Sequence, residues 1–172
     1  GYHAMPLERL TALVVTSTNA TLLVPRLEAP RVEPHAAVFE LVSWDETDDP
    51  VAIVASLLGA SRTIAVGDQM WSRFLVDLLH QLPGRHYVRA VQVVGALRAS
   101  KDDAEIAALL AAGAAADRVA LQLQRGEIAL VGRTEAEVSA DISSRLLAEG
   151  HDVVNFAIVA AGENASSPHH HP

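Results

Sequence analysis

Over roughly the first ninety residues, short apolar runs alternate with stretches of helical periodicity. That alternation confines the chain to a layered α/β arrangement. Residues 10–15 and 21–24 are β-branched and leucine-rich runs parted by Ser17-Thr18-Asn19, the signature of an antiparallel hairpin. A further strand is expected at residues 38–42, followed by a solvated acidic loop through Trp44, Asp45, Glu46, Thr47, Asp48 and Asp49. Asp49-Pro50 predicts a helix start, because the aspartate accepts from unpaired first-turn amides and the proline sits where a missing N–H costs nothing. Gly59 ends that helix. Residues 63–66 form the next strand, and Gly67-Asp68 predicts the turn and cap of an amphipathic helix carrying Trp71, Phe74, Leu75, Leu78 and Leu79. Pro83-Gly84 stops it, and residues 86–88 supply one more short strand.

From Leu97 the period changes. Ile106, Leu109, Leu110, Gly113, Ala116, Ala120 and Leu123 recur at spacings of three and four, which predicts one long helix after Ser100. A second helix starts at Thr134-Glu135-Ala136-Glu137, the Thr-x-x-Glu pattern of a capping box, with Val138, Ile142 and Leu146 as its buried stripe and Gly150 as its end. Residues 153–160 are almost continuously apolar and read as a buried strand. The expected organisation is two domains, residues 1–95 and 96–172, with the boundary near Gly95, in an α/β fold that is α+β overall.

Composition removes several classes of function. Half of the 172 residues are apolar, enough for a genuine core. The net charge is −8 and Lys101 is the only lysine, so no basic face exists to neutralise a row of phosphates, and no nucleic-acid partner is expected. Cysteine is absent, which excludes disulfides, thiolate nucleophiles and sulfur-ligated zinc, and fits a reducing compartment. No apolar stretch is expected to reach the ~20 residues that span a bilayer, and no signal-peptide pattern opens the chain. A cytoplasmic protein without a membrane partner is the expectation. Gly1 is the first residue and Met5 the first methionine, which suggests a segment of a longer chain.

The candidate sites are few. His3, His35, His80, His86 and His151 are scattered without the spacing that gathers ligands around a metal. Asp45, Glu46, Asp48 and Asp49 lack the glycine turn and distal glutamate of a calcium loop. Glycine-rich nucleotide motifs and a Gly-x-Ser-x-Gly elbow are missing. What remains is the segment ending in His169-His170-His171, where Gly162 and Asn164 permit an unusual backbone path and Pro168 restricts how His169 is presented. An imidazole on a loop at a strand end can donate or accept within reach of a reacting group. On the residues alone, catalysis and a tag both stay open for His169, and His170 and His171, which have no separate argument, are expected to face solvent.

A series of motifs narrows the choice. Leu97-Arg98-Ala99-Ser100-Lys101-Asp102-Asp103-Ala104-Glu105-Ile106 resembles the opening of the catalytic domain of proline-specific pita-bread metallopeptidases: Xaa-Pro dipeptidases (prolidases), aminopeptidases P and their relative creatinase. Gly132-Arg133-Thr134-Glu135-Ala136-Glu137-Val138 resembles their second-helix start, and residues 156–169 resemble their Phe…Pro-His segment. Tyr2 and Pro25-Arg26-Leu27-Glu28 resemble the creatinase/prolidase N-terminal domain, whose first elements would be missing upstream. The resemblance implies an N-terminal α/β layered domain followed by the first helices and strand of a pita-bread domain. It implies His169 as a catalytic residue and Phe156 as a substrate-pocket residue. It further implies hydrolysis of an Xaa-Pro peptide by a homodimer using two divalent metal ions (Mn, Co or Zn). The metal ligands of that family would lie downstream of Pro172, so this segment alone is expected to bind no metal and to be inactive. A creatinase-like, metal-free C–N hydrolase acting on a small guanidino compound and a non-catalytic binding or dimerisation module are the alternatives.

Overall fold

The computed structural model describes residues 8–172; Tyr2 and His3 lie outside the described residues. The chain divides between Ala99 and Ser100 into two compact units.

In the first unit, β1 (Ala12–Val15) and β2 (Ala20–Pro25) form the antiparallel hairpin, with Val14 opposite Thr21 and Ala12 opposite Leu23. Thr16 closes the turn: its N–H donates to the Asn19 carbonyl at 2.8 Å and its Oγ1 accepts from the Asn19 N–H at 3.0 Å. β3 (Glu40–Trp44) lies parallel to β2, which makes β2 the central strand and leaves Leu23 and Val24 at 0% exposure.

The third strand begins later than the apolar run suggests. The N–H groups of Val38 and Phe39 both donate to the His35 carbonyl, at 2.7 and 3.0 Å, so this stretch is spent on a turn and cannot join a ladder. The shift carries Trp44 into the strand and into the core, where its indole N–H donates to the Leu10 carbonyl at 2.9 Å and meets the requirement of a buried indole for an acceptor.

α1 (Pro50–Leu58) starts as the sequence indicates. The Asp49 carboxylate accepts from the Val51 and Ala52 amides at 2.9 and 3.0 Å, and Gly59 at the other end adopts φ 53°. β4 (Thr63–Val66) and β5 (His86–Arg89) are parallel, with α2 (Ser72–Gln81) as the crossover between them. Asp68 does not cap α2, whose N-cap is Trp71 without a side-chain bond; it takes a two-point contact from Arg89 instead, at 3.2 and 2.6 Å. A forked guanidinium matches a carboxylate better than a single amide does. Phe74 and Leu78 of α2 join Leu10, Val14, Leu23, Trp44, Val51 and Val54 in one core. α3 (Val91–Ala99) then runs straight through Gly95, a helix that the sequence pattern does not announce.

The second unit is built on α4 (Asp103–Gln124) and α5 (Glu135–Ala148). α4 opens with a reciprocal cap in which Glu105 N–H donates to Asp102 Oδ1 at 2.8 Å and Asp102 N–H donates to Glu105 Oε2 at 2.9 Å. At its end, the Gly126 and Glu127 amides donate to the Leu123 and Gln122 carbonyls with Gly126 at φ 73°, a Schellman closure. α5 ends the same way: Gly150, at φ 102°, donates to Leu147 and His151 donates to Leu146.

Val119 of α4, Ile128 of the connection and Val138 of α5 form the second core, with Leu123, Ile142, Leu146 and Val159 packed against it. The apolar stripe at the start of α4 is not part of it, since Leu109 and Leu110 are 60% and 70% exposed. By length and composition α4 is also apolar enough to cross a membrane, which corrects the expectation that no such stretch exists. Its alanines serve helix propensity and raise hydropathy together, and Ala115 and Val119 of this helix are buried, Val119 within the second core.

Residues 153–160 form no strand among the described residues. An apolar run becomes a strand only beside a partner edge. Here the attachments are the Ser139 Oγ, which donates to the Ala157 carbonyl at 2.7 Å, and Val159 against the second core.

Replacing Leu23 with alanine deletes a fully buried side chain of the central strand and is expected to lower stability by about 2–5 kcal/mol. Urea unfolding followed by the fluorescence of buried Trp44 measures it, and an unchanged midpoint would contradict the packing around β2.

Candidate functional site

The site is organised from the first turn of α5. Thr134 and Glu137 satisfy each other there: the Glu137 amide donates to Thr134 Oγ1 at 3.2 Å, and Glu137 Oε2 accepts from the Thr134 amide and hydroxyl at 2.8 and 3.0 Å. Arg133 fastens the same turn by donating to Asp141 Oδ2 at 2.9 Å and to the Glu137 carbonyl at 2.8 Å, while Arg145 grips the other oxygen of Asp141 at 2.7 Å.

With the capping done by its neighbours, the Glu135 carboxylate is free to face outward. It takes three donors from the terminal segment: the Ala161 amide at 2.6 Å on Oε1, and the Asn164 side-chain amide and His170 Nε2 at 2.9 and 2.8 Å on Oε2. The Ala161 N–H, with the His170 ring and the Asn164 amide, holds the Glu135 carboxyl below its ordinary value against the opposing effect of burial.

The segment closes on itself as well. Gly162 at φ 56° opens a turn of 3-10 helix, Gly162–Ser166, in which the Ser166 hydroxyl donates to the Glu163 carbonyl at 2.9 Å. The His170 amide then donates to the Ser167 carbonyl at 3.3 Å. Residues 167–170 are therefore a four-residue turn with Pro168 and His169 at its two central positions.

His169, at the tip, is exposed. It lines a cavity of about 440 Å³ together with Phe156, Ser139 and the other two terminal histidines. Phe156 is 72% exposed, so it is not a core aromatic. His170 is the histidine that the sequence leaves without an argument, and it is the half-buried one, paired with Glu135. Glu135 itself is missed because the capping-box pattern draws attention to Thr134 and Glu137. A second acid beside the box, with no capping duty of its own, is the signal that would have found it.

The remaining candidates are absorbed by structure. Glu46 pairs with Arg9, Asp45 with Arg26, Asp48 accepts from the Asp45 amide and Asp49 caps α1. His35 packs edge-on to Phe39, and His151 closes α5, with its Nε2 buried and without a hydrogen-bond partner. Among the described residues no three His, Asp or Glu side chains converge to hold a metal ion.

Residues 1–100 match the profile of the Creatinase/Prolidase N-terminal domain. The chain belongs to the creatinase/prolidase family. It is 41% identical over 175 residues to the probable dipeptidase PepE of Mycobacterium bovis, covering 99% of this chain and 46% of that protein. The crystal structure of dipeptidase PepE from Mycobacterium ulcerans superposes with a TM-score of 0.83 at 41% identity, over 97% of this chain and 46% of that one. The recombinant prolidase from Thermococcus sibiricus matches with a TM-score of 0.84 at 25% identity, over 99% of this chain and 48% of its own. This creatinase/prolidase chain thus spans about half the length of the relatives it matches.

A carboxyl held below its ordinary value favours the folded chain at pH values above the ordinary glutamate range, and that contribution is lost as pH falls through the lowered value. Glu135, Glu137 and Asp141 all shift in this direction, so the second unit is expected to loosen in acid. The Ala161 amide resonance, followed by NMR from neutral pH into acid, should move with the Glu135 carboxyl. In Glu135→Gln it should stay still.

Proposed function

We propose that the protein to which this chain belongs is a dipeptidase of the prolidase type, hydrolysing the peptide bond that precedes proline. The observation that carries this reading is the exposed imidazole of His169 beside the exposed ring of Phe156 at one cavity, on a chain 41% identical over nearly its whole length to a protein named as a dipeptidase.

In this reaction water adds to the scissile carbonyl carbon, the C–N bond breaks and the proline nitrogen leaves with a proton. Negative charge grows on the carbonyl oxygen in the transition state, and a hydrogen-bond donor aimed at it in a water-poor cleft lowers the barrier. His169 is assigned that role, at the oxyanion or at the scissile amide. Its ring has no hydrogen-bond or ion-pair partner among the described residues, so it is available to substrate. Phe156 is assigned to the apolar wall that receives the substrate side chain or the prolyl ring.

The two divalent ions (Mn, Co or Zn) implied by the resemblance do not fit this chain's described residues, which gather no ligand set. The family resemblance supports a homodimer, and a chain without cysteine fits a cytoplasmic setting.

The test is release of free proline from Ala-Pro and Leu-Pro by the intact protein with added Mn²⁺. His169→Ala is expected to lower kcat roughly 10²- to 10⁴-fold. An unchanged rate would remove His169 from the mechanism, and absence of proline release from the unaltered protein would sink the assignment.

A further inference from the structure

We propose that Glu135 and His170 form a latch that fixes the turn presenting His169, which makes both of them positioning residues for the reaction proposed above, on which this assignment rests. His169 occupies the second central position of the turn 167–170, after Pro168, whose ring fixes φ. The direction of its side chain is therefore set by where the two ends of the turn are held.

One end is held through the His170 ring on Glu135 Oε2 at 2.8 Å, and the segment leading to the other end through Asn164 on the same oxygen at 2.9 Å and Ala161 N–H on Oε1 at 2.6 Å. The anchor does not give. Glu135 begins α5, whose first turn is locked by the Thr134–Glu137 box and by Arg133. His170 and Glu135 expose only 21% and 22% of their side chains, so water competes poorly for the contact. An ionised carboxylate only accepts, so Nε2 of His170 carries a proton and its ring orientation is fixed with it. His169, one residue away, contributes no anchoring bond and stays at the cavity wall.

A misplacement of about 1 Å of a catalytic group costs on the order of 10²-fold in rate, which is the scale on which such a latch acts. In the intact protein, His170→Leu is expected to lower kcat for Leu-Pro roughly 10- to 100-fold with KM nearly unchanged, and to accelerate hydrogen exchange across residues 161–170. His170→Gln, whose side-chain amide can donate to Glu135, should recover most of the rate. Because the latch acts through His169, adding His170→Leu to His169→Ala should cost nothing further.

A kcat unaffected by His170→Leu, a full additive loss in the double variant, or a His170→Gln variant as impaired as His170→Leu would overturn the proposal. The exchange measurement separates it from the functional reading. If the unaltered protein releases no proline, the reaction is wrong. In that case faster exchange at residues 161–170 in Glu135→Ala still supports the latch, and unchanged exchange overturns it.

Discussion

An α-helix begins with amides that have no partner inside it, and in α5 that constraint decides what the neighbouring side chains can do. Thr134 and Glu137 answer one another's backbone groups, so the acid between them is not needed for capping. Had Glu135 been drawn onto its own helix terminus, the segment from Ala161 to His170 would have lost its shared acceptor. The local problem of starting a helix and the longer-range problem of seating the terminal loop are thus solved within one turn of chain. Arg133 and Arg145 on Asp141 extend the same fixation along α5.

The first unit rests on a different constraint, that of the central strand. β2 is antiparallel to β1 on one side and parallel to β3 on the other, so both of its edges are paired, and Leu23 and Val24 are fully buried. A parallel partner cannot be reached by a tight turn. The chain between Pro25 and Glu40 makes the return through a short 3-10 turn at Ala29–Arg31 and the His35 turn. That route delays β3 and brings Trp44 to the acceptor it needs.

Much of this was legible in the sequence. Asp49-Pro50, Gly59, Thr134-x-x-Glu137 and Gly150 mark helix ends through backbone chemistry that is local, and each does in the structure what its residue type dictates. The failures are non-local. Residues 38–42 have strand composition, but their register is imposed by β2 and by a turn. Residues 153–160 have strand composition, but among the described residues no strand edge pairs with them. Asp68 follows a turn as a cap would, yet Arg89, brought alongside by the β4–β5 pairing, is the stronger partner. His170 was invisible because its meaning lies in Glu135, thirty-five positions earlier. Of the loop, the sequence shows that Pro168 restrains His169; it does not show what restrains the loop.

Why a carboxylate should hold that loop follows from counting acceptors. Three donors converge, from a backbone amide, a side-chain amide and an imidazole, and the two oxygens of an ionised acid offer about four lone-pair sites with no donor of their own. A glutamine would offer one oxygen and turn a donor toward at least one of the three groups, leaving donors opposed in a half-buried place where an unmade hydrogen bond is expensive. The arrangement also tolerates changes at the histidine, because the neutral ring protonated on Nε2 and the fully protonated ring present the same N–H to Glu135. The three donors favour the ionised form of the acid, so the turn is held by hydrogen bonds that all end on one carboxylate.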